Sequence, residues 1–328
     1  ASHQEVTLNT QPSVAIVTDT AASIPEALRS QYHIEVVPFW VNMGKASYRS
    51  GIDMDPQTFY AQLRANPDMP VSTSVPAIPV FLEAYQKQAQ WARHIVAIHV
   101  AGKQSSTCDT ATVAGREGPV PVTIIDTQTT AMGEGFIAVE AARAAAAGAS
   151  PDEVAAKARA AIPNAGVVAL LETVSYAFKG GRLSSAASTV GSLLKICPMI
   201  RVQNNKVSLI GQARRRSKGI AAVIEKVVDE VQDNPVHLAV HYAEDETEGT
   251  YVLEELKKQL HCIETFLLRV PIELGVHAGP GALGVAYYIE RQPSGGFSQQ
   301  LEKLSGYARG AKEAILARVP WSQKSDEE

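Results

Sequence analysis

The sequence has few cysteines, no surplus of positive charge and no long apolar run. Its three cysteines, Cys108, Cys197 and Cys262, lie far apart with no CxxC pair. That argues against a disulfide framework or a cysteine zinc site and suits a reducing cytoplasm, the expected location. The 30 basic and 34 acidic residues leave a net charge of −4. No general pull toward nucleic acid follows, because such binders carry a basic face or stripe. The densest basic run, Arg214-Arg215-Arg216-Ser217-Lys218, is short and reads first as a solvated loop or helix start. No segment reaches the ~18 apolar residues of a membrane helix. The first residues, Ala1-Ser2-His3-Gln4-Glu5, lack a signal-peptide pattern. No second histidine stands at metal-ligand spacing from His277, so no metal is expected. No GxSxG elbow marks a serine hydrolase.

What is present is an α/β pattern. Short apolar runs at Val14–Thr18, Ile34–Val41, His94–Val100 and Val120–Asp126 alternate with helical spacing at about 24–32, 55–66, 77–91, 107–116 and 133–148. This predicts a parallel sheet covered by helices. Ser23-Ile24-Pro25-Glu26 and Ser150-Pro151-Asp152-Glu153 both read as capping boxes with proline in the first turn. A boundary near 150 follows, giving domains 1–150 and 151–328. In the second half, strands are expected at Val167–Leu171, Val236–Tyr242, Cys262–Val270 and Ala282–Ile289. A hairpin is expected over Met199–Ile210, turning at Asn204-Asn205. Helices at about 185–195, 217–232 and 247–260 complete a mixed sheet with helices on one face. Helical spacing also runs from Gly296 to Val319, ahead of a polar end, Ser322–Glu328.

Three hydroxyl clusters fall at expected loop tips: Thr18-Asp19-Thr20, Ser72-Thr73-Ser74 and Ser105-Ser106-Thr107. Each suits helix capping. Three at strand ends of one sheet also suit a neutral cradle for an anion, since ligands of open α/β sheets bind beyond the carboxyl ends of the strands. Two glycine patterns, Gly133–Ala138 and Gly279–Gly284, mimic dinucleotide fingerprints. The second leads into a strand rather than a helix, and the first places Glu134 where phosphate would lie. His277 sits between glycines, which suggests a tight loop beside a ligand or a structural hydrogen bond. Lys179-Gly180-Gly181-Arg182 and Arg214 suit either phosphate or solvated charge.

Together these segments resemble the DegV family of bacterial fatty-acid-binding proteins, which includes the acyl-binding B subunits of fatty-acid kinase. The resemblance runs from Val14 to Tyr288. It rests on Thr18-Asp19-Thr20-Ala21, Tyr48–Asp53, Pro70–Pro76, Ser105-Ser106-Thr107, Phe178–Ser184, Gly211 with Arg214, and Gly275–Gly281, in matching order. It implies two α/β domains, an N-terminal one with a parallel sheet and a C-terminal one with a mixed sheet, and a lipid pocket between them. It implies a carboxylate held by Thr73 and Ser105 with His277 nearby. It points to Arg182, and less directly Arg214, as phosphate or partner contacts where a separate kinase makes an acyl phosphate. The implied ligand is a fatty acid such as palmitate, stearate or oleate, with no cofactor and no catalytic residue. Three departures stand out: Ser106 replaces the usual glycine, Val75 replaces a common glutamine, and the chain continues past Ile289. The competing expectations are a phosphotransferase or hydrolase using His277 and the arginines, and a binder of a different amphiphile.

Overall fold

The structure is a computed structural model, and it describes residues 13–183 and 196–291. The expected helix at 185–195 and the segment from Gly296 onward lie outside the described residues.

The first half builds a four-stranded parallel sheet. β1 (Val14–Asp19) runs into a 3-10 turn and α1 (Glu26–Tyr32), then β2 (Glu35–Val37). The single strand expected over Ile34–Val41 is instead two. Pro38, which has no N–H to give a ladder, separates β2 from β3 (Trp40–Met43), and β3 joins a different sheet. There it pairs antiparallel with β4 (Ala46–Arg49) and, beyond α2 (Pro56–Ala65), with β5 (Val71–Ser74). Ser72-Thr73-Ser74 is therefore strand, not loop tip. α3 (Ile78–Gln88), β6 (His94–His99), α4 (Thr107–Arg116) and β7 (Val122–Asp126) complete the parallel sheet in the order β2-β1-β6-β7.

Long helix α5 (Ala131–Ala146) is almost wholly buried, and α6 (Pro151–Ala161) packs along it. The capping box at the start of α6 forms as expected: Ser150 Oγ accepts from the Glu153 N–H and Glu153 accepts from the Ser150 N–H. The one expected at Ser23 does not form. Ser23 closes the 3-10 turn in a left-handed conformation, and α1 begins after Pro25 without a side-chain cap. The glycines of the GxGxxA segment serve packing. A Cβ on Gly135 would stand 2.5 Å from the Ala22 carbonyl oxygen.

The second half is a six-stranded mixed sheet. Its strands are β8 (Ala165–Leu170), then, after the short helix α7 (Ser175–Lys179), β9 (Cys197–Gln203), β10 (Lys206–Ala213), β11 (Val236–Tyr242), β12 (Cys262–Arg269) and β13 (Leu283–Ile289). The order is β10-β9-β8-β13-β11-β12, with only β11 and β12 parallel. Asn204 and Asn205 both have positive φ at the tip of the β9–β10 hairpin, the geometry a two-residue turn of the primed type needs. Helices α8 (Arg216–Val231) and α9 (Glu246–Gln259) cover one face. Leu238, Val240 and Tyr242 point to that side. Ala239 points to the opposite face, against the core around α5. A last short helix, α10 (Ile272–Ala278), precedes β13. The described residues up to Glu290 form one compact unit.

Candidate functional site

A cavity opens between the six-stranded sheet and the loops at the carboxyl ends of β1 and β6. One wall is sheet. Strand alternation turns Val167 and Ala169 of β8, Ile200 and Val202 of β9, and Val207 of β10 inward. The facing wall carries Leu274 and Ala278 of α10 and Ala131 at the start of α5. Ala21, Phe39 and Val100, which pack on one another, close the side toward the parallel sheet. The lining is predominantly hydrocarbon, which suits an acyl chain.

Polar groups enter from β5, the loop after β6, α10 and the turn after α7. Thr73 alternates inward on β5, while Ser72 and Ser74 face out toward Asn42. The Thr73 Oγ1 atom stands 3.2 Å from His277 Nε2. His277 lies in the last turn of α10, so it is helical, not in the tight loop its glycines suggest. Gly180 makes room for the ring: a Cβ there would stand 2.3 Å from His277 Nδ1. The glycine–glycine–arginine turn and the histidine helix thus fit together. Ser105 lines the cavity, its Oγ 2.7 Å from Oγ1 of fully buried Thr107. Arg182 also lines the cavity. Its guanidinium donates to the carbonyls of Gln104 and Gly180, and no carboxylate among the described residues forms an ion pair with it.

Burial sets the electrostatics. The His277 pKa is pushed down to about 4 by desolvation and by the Arg182 charge, so its ring is neutral at pH 7. His241 of β11 also lines the cavity, and burial lowers its pKa to about 4. Glu273, one turn before His277 on α10, is 2% exposed and raised by desolvation. It accepts a hydrogen bond from Ser50 through Oε2, while Oε1 has no partner. Glu134 is raised well above its ordinary value, first by burial and then by nearby Asp19, and accepts from Thr18. Asp19 accepts from the N–H groups of Ala21 and Val100 and contacts His99 Nδ1 at 3.0 Å, tying the loop after β1 to the end of β6.

The model of the uncharacterised DegV family matches residues 13–290. The chain belongs to the DegV family. A DegV domain-containing protein of Streptomyces coelicolor is 32% identical over 274 residues, covering 83% of this chain and 97% of that protein. Protein DegV of Bacillus subtilis is 28% identical over 278 residues, covering 84% and 99%. Among solved structures, a fatty-acid-binding DegV family protein from Thermus thermophilus superposes with a TM-score of 0.79 at 26% identity, over 84% of this chain and 99% of that one. The fatty-acid-binding DegV of Bacillus subtilis superposes at 0.77 with 27% identity, over 85% and 100%.

Thr73, Ser105, His277 and Arg182 all meet at this DegV-family cavity. Arg214 does not; it follows the end of β10 and is exposed. Thr18 and Thr20 are support: Thr18 donates to Glu134 and Thr20 accepts from the Phe39 N–H. Sequence reasoning missed Glu273, His241 and Thr130. Glu273 was legible as the residue one helical turn from His277, had α10 been read as helix. His241 shares its strand face with His237 and Ala239 by simple alternation. Among the described residues no His, Cys, Asp or Glu group is arranged to hold a metal, and no helix is long and apolar enough to cross a membrane.

Proposed function

We propose that the chain binds one long-chain fatty acid, such as palmitate, stearate or oleate. The carboxylate is held by Thr73 and Ser105 beside His277, and the tail runs along the sheet wall. The observation that carries this reading is a hydrocarbon-lined cavity with hydroxyls entering from separate elements. Two DegV structures above 25% identity, both from fatty-acid-binding proteins, support it. The reading keeps a division near 150: the first half supplies Thr73 and Ser105, the second half the sheet wall and His277.

The physics suits the ligand. A buried carboxylate without partners costs several kcal/mol. Hydroxyl donors offset this through charge-assisted hydrogen bonds. With the proton on Nε2, neutral His277 donates to Thr73 Oγ1, which frees the Thr73 O–H to donate to the ligand. The tail supplies about 0.8 kcal/mol per buried CH₂, or roughly 12 kcal/mol gross for a 16-carbon chain before ordering costs. Arg182 brings positive charge to the same end, where a separate kinase would transfer phosphate to the presented carboxylate. Exposed Arg214 suits contact with such a partner rather than with the ligand.

The Thr73–His277 pair is the feature among the described residues that would favour a hydrolase instead. A ring held at about 4 is a weak base, and its Nδ1 has no partner to orient it. Binding therefore fits this geometry better than turnover. The test is affinity: Thr73→Ala and Ser105→Ala should each weaken fatty-acid binding by about ten- to a hundredfold, since a hydrogen bond to a charged group is worth about 1.5–3 kcal/mol. Unchanged affinity in both variants would refute the carboxylate assignment.

A further inference from the structure

The cavity wall contains an acid that the carboxylate site does not use. Glu273 sits in the first turn of α10, is 2% exposed and lines the cavity. His277 follows it by four residues. Side chains so spaced on a helix share a face, with Cβ atoms about 5–6 Å apart. His277 in turn meets Thr73. The Glu273 carboxyl therefore stands within about 10 Å of the ligand carboxylate held there.

The surroundings of Glu273 bring it hydroxyls and further acids. Ser50 Oγ donates to Glu273 Oε2, and the Thr20 hydroxyl also favours its charged form. Among the described residues no basic side chain is paired with it. α2 brings Tyr60, a phenol kept neutral by burial, and Arg64, whose guanidinium is held by Glu172 and Glu244. β3 and β5 bring no titratable side chain. α7 and the turn after it, with Tyr176, Lys179 and Arg182, meet the other end of α10, where Gly180 encloses His277. His241, on the sheet wall, is neutral at pH 7. From the loop after β1 and from α5 come two more buried acids, Asp19 and Glu134. The Asp19 charge acts on both glutamates, and Glu273 acts on Glu134. Burial beside like charge disfavours ionisation of Glu273. A fatty-acid carboxylate in the cavity adds one more negative charge to this group.

We propose that Glu273 couples fatty-acid binding to proton uptake: the site takes the anionic ligand together with a proton on Glu273, and its hold weakens as that proton leaves. This coupling rests on the fatty-acid reading above. By linkage, binding takes up protons wherever Glu273 of the free protein is ionised, and affinity falls as pH rises through that range. A unit charge about 10 Å away, at an effective dielectric of about 20, changes affinity roughly tenfold.

The test is titration calorimetry of the delipidated full chain with palmitate between about pH 6 and 9, in buffers of different ionisation enthalpy, which counts the protons taken up. Glu273→Gln cannot ionise. Subtracting its uptake removes any proton that the ligand itself carries. The difference should reach about half a proton per ligand at its maximum, and wild type should lose about tenfold more affinity than the variant across the range. Ser50→Ala removes a hydrogen bond that favours the charged form, so its uptake should move to higher pH. That variant decides the matter if Glu273→Gln does not fold. Equal uptake in wild type and Glu273→Gln overturns the proposal, as does a Ser50→Ala profile that stays in place. If palmitate binds at no pH, the fatty-acid reading itself fails.

Discussion

Ala169→Phe should weaken long-chain fatty-acid binding close to a thousandfold. Ala169 stands on β8, paired with Gly284 of β13 and Ile200 of β9, and all three line the cavity. Its side chain faces open space, so a phenyl ring there projects into the path of the tail. Displacing about five methylenes forfeits about 4 kcal/mol at 0.8 kcal/mol each. The ring buries apolar surface in existing space, so the fold should survive. Isothermal titration with palmitate, alongside thermal unfolding, separates the two effects. A variant that stays folded and binds palmitate as tightly as wild type would place the tail elsewhere.

Acidification should destabilise the lipid-free protein through two histidines. Both His241 and His277 have folded pKa values of about 4 because burial disfavours the charged ring, with Arg182 adding to the effect at His277. An unfolded histidine titrates near 6.5. The folded state therefore binds fewer protons between those values. The stability these groups contribute is complete above about pH 6.5 and is lost as pH falls toward 4. Linkage gives a loss of about 2 kcal/mol per histidine between pH 7 and 5. Glu134 and Glu273 act with the opposite sign. Their folded values are raised, so their contribution is lost as pH rises above the ordinary carboxylate range. Wild type alone would mix the two slopes. The comparison is with a His241→Phe/His277→Gln double variant, by urea unfolding at both pH values. The variant should lose about 4 kcal/mol less than wild type on acidification. Equal losses would mean that the rings are not held neutral.

Much of the fold is legible in the sequence because its strands are apolar and its helices well spaced. β1, β6, β7 and β11 come directly from apolar runs ending in turn residues. The hairpin at Asn204-Asn205 follows from residues that tolerate positive φ. The small antiparallel sheet is not legible. β4 and β5 are short and polar, Ala46–Arg49 and Val71–Ser74; the first carries no apolar run to mark it and the second reads as a loop tip. Their pairing with β3 is long-range, and Pro38 hides the change of sheet inside one apolar run.

The site divides the same way. Local chemistry leaves Thr73 and Ser105 as ordinary capping residues. Their shared place at the cavity depends on β5 lying beside α10, a contact between segments some two hundred residues apart in the chain. His277 is visible as an unusual residue between glycines, but not its enclosure by Gly180. His241 and Thr130 carry no motif. They become notable only when burial shows that their polar atoms are unmet.

The central claim is that this cavity holds a fatty acid. It is tested most directly by purifying the chain, denaturing it, extracting the lipid and identifying it by mass spectrometry. The account predicts close to one long-chain fatty acid per protein, or stoichiometric uptake when delipidated protein is offered palmitate, stearate or oleate. An empty extract together with no uptake of any of the three would contradict it.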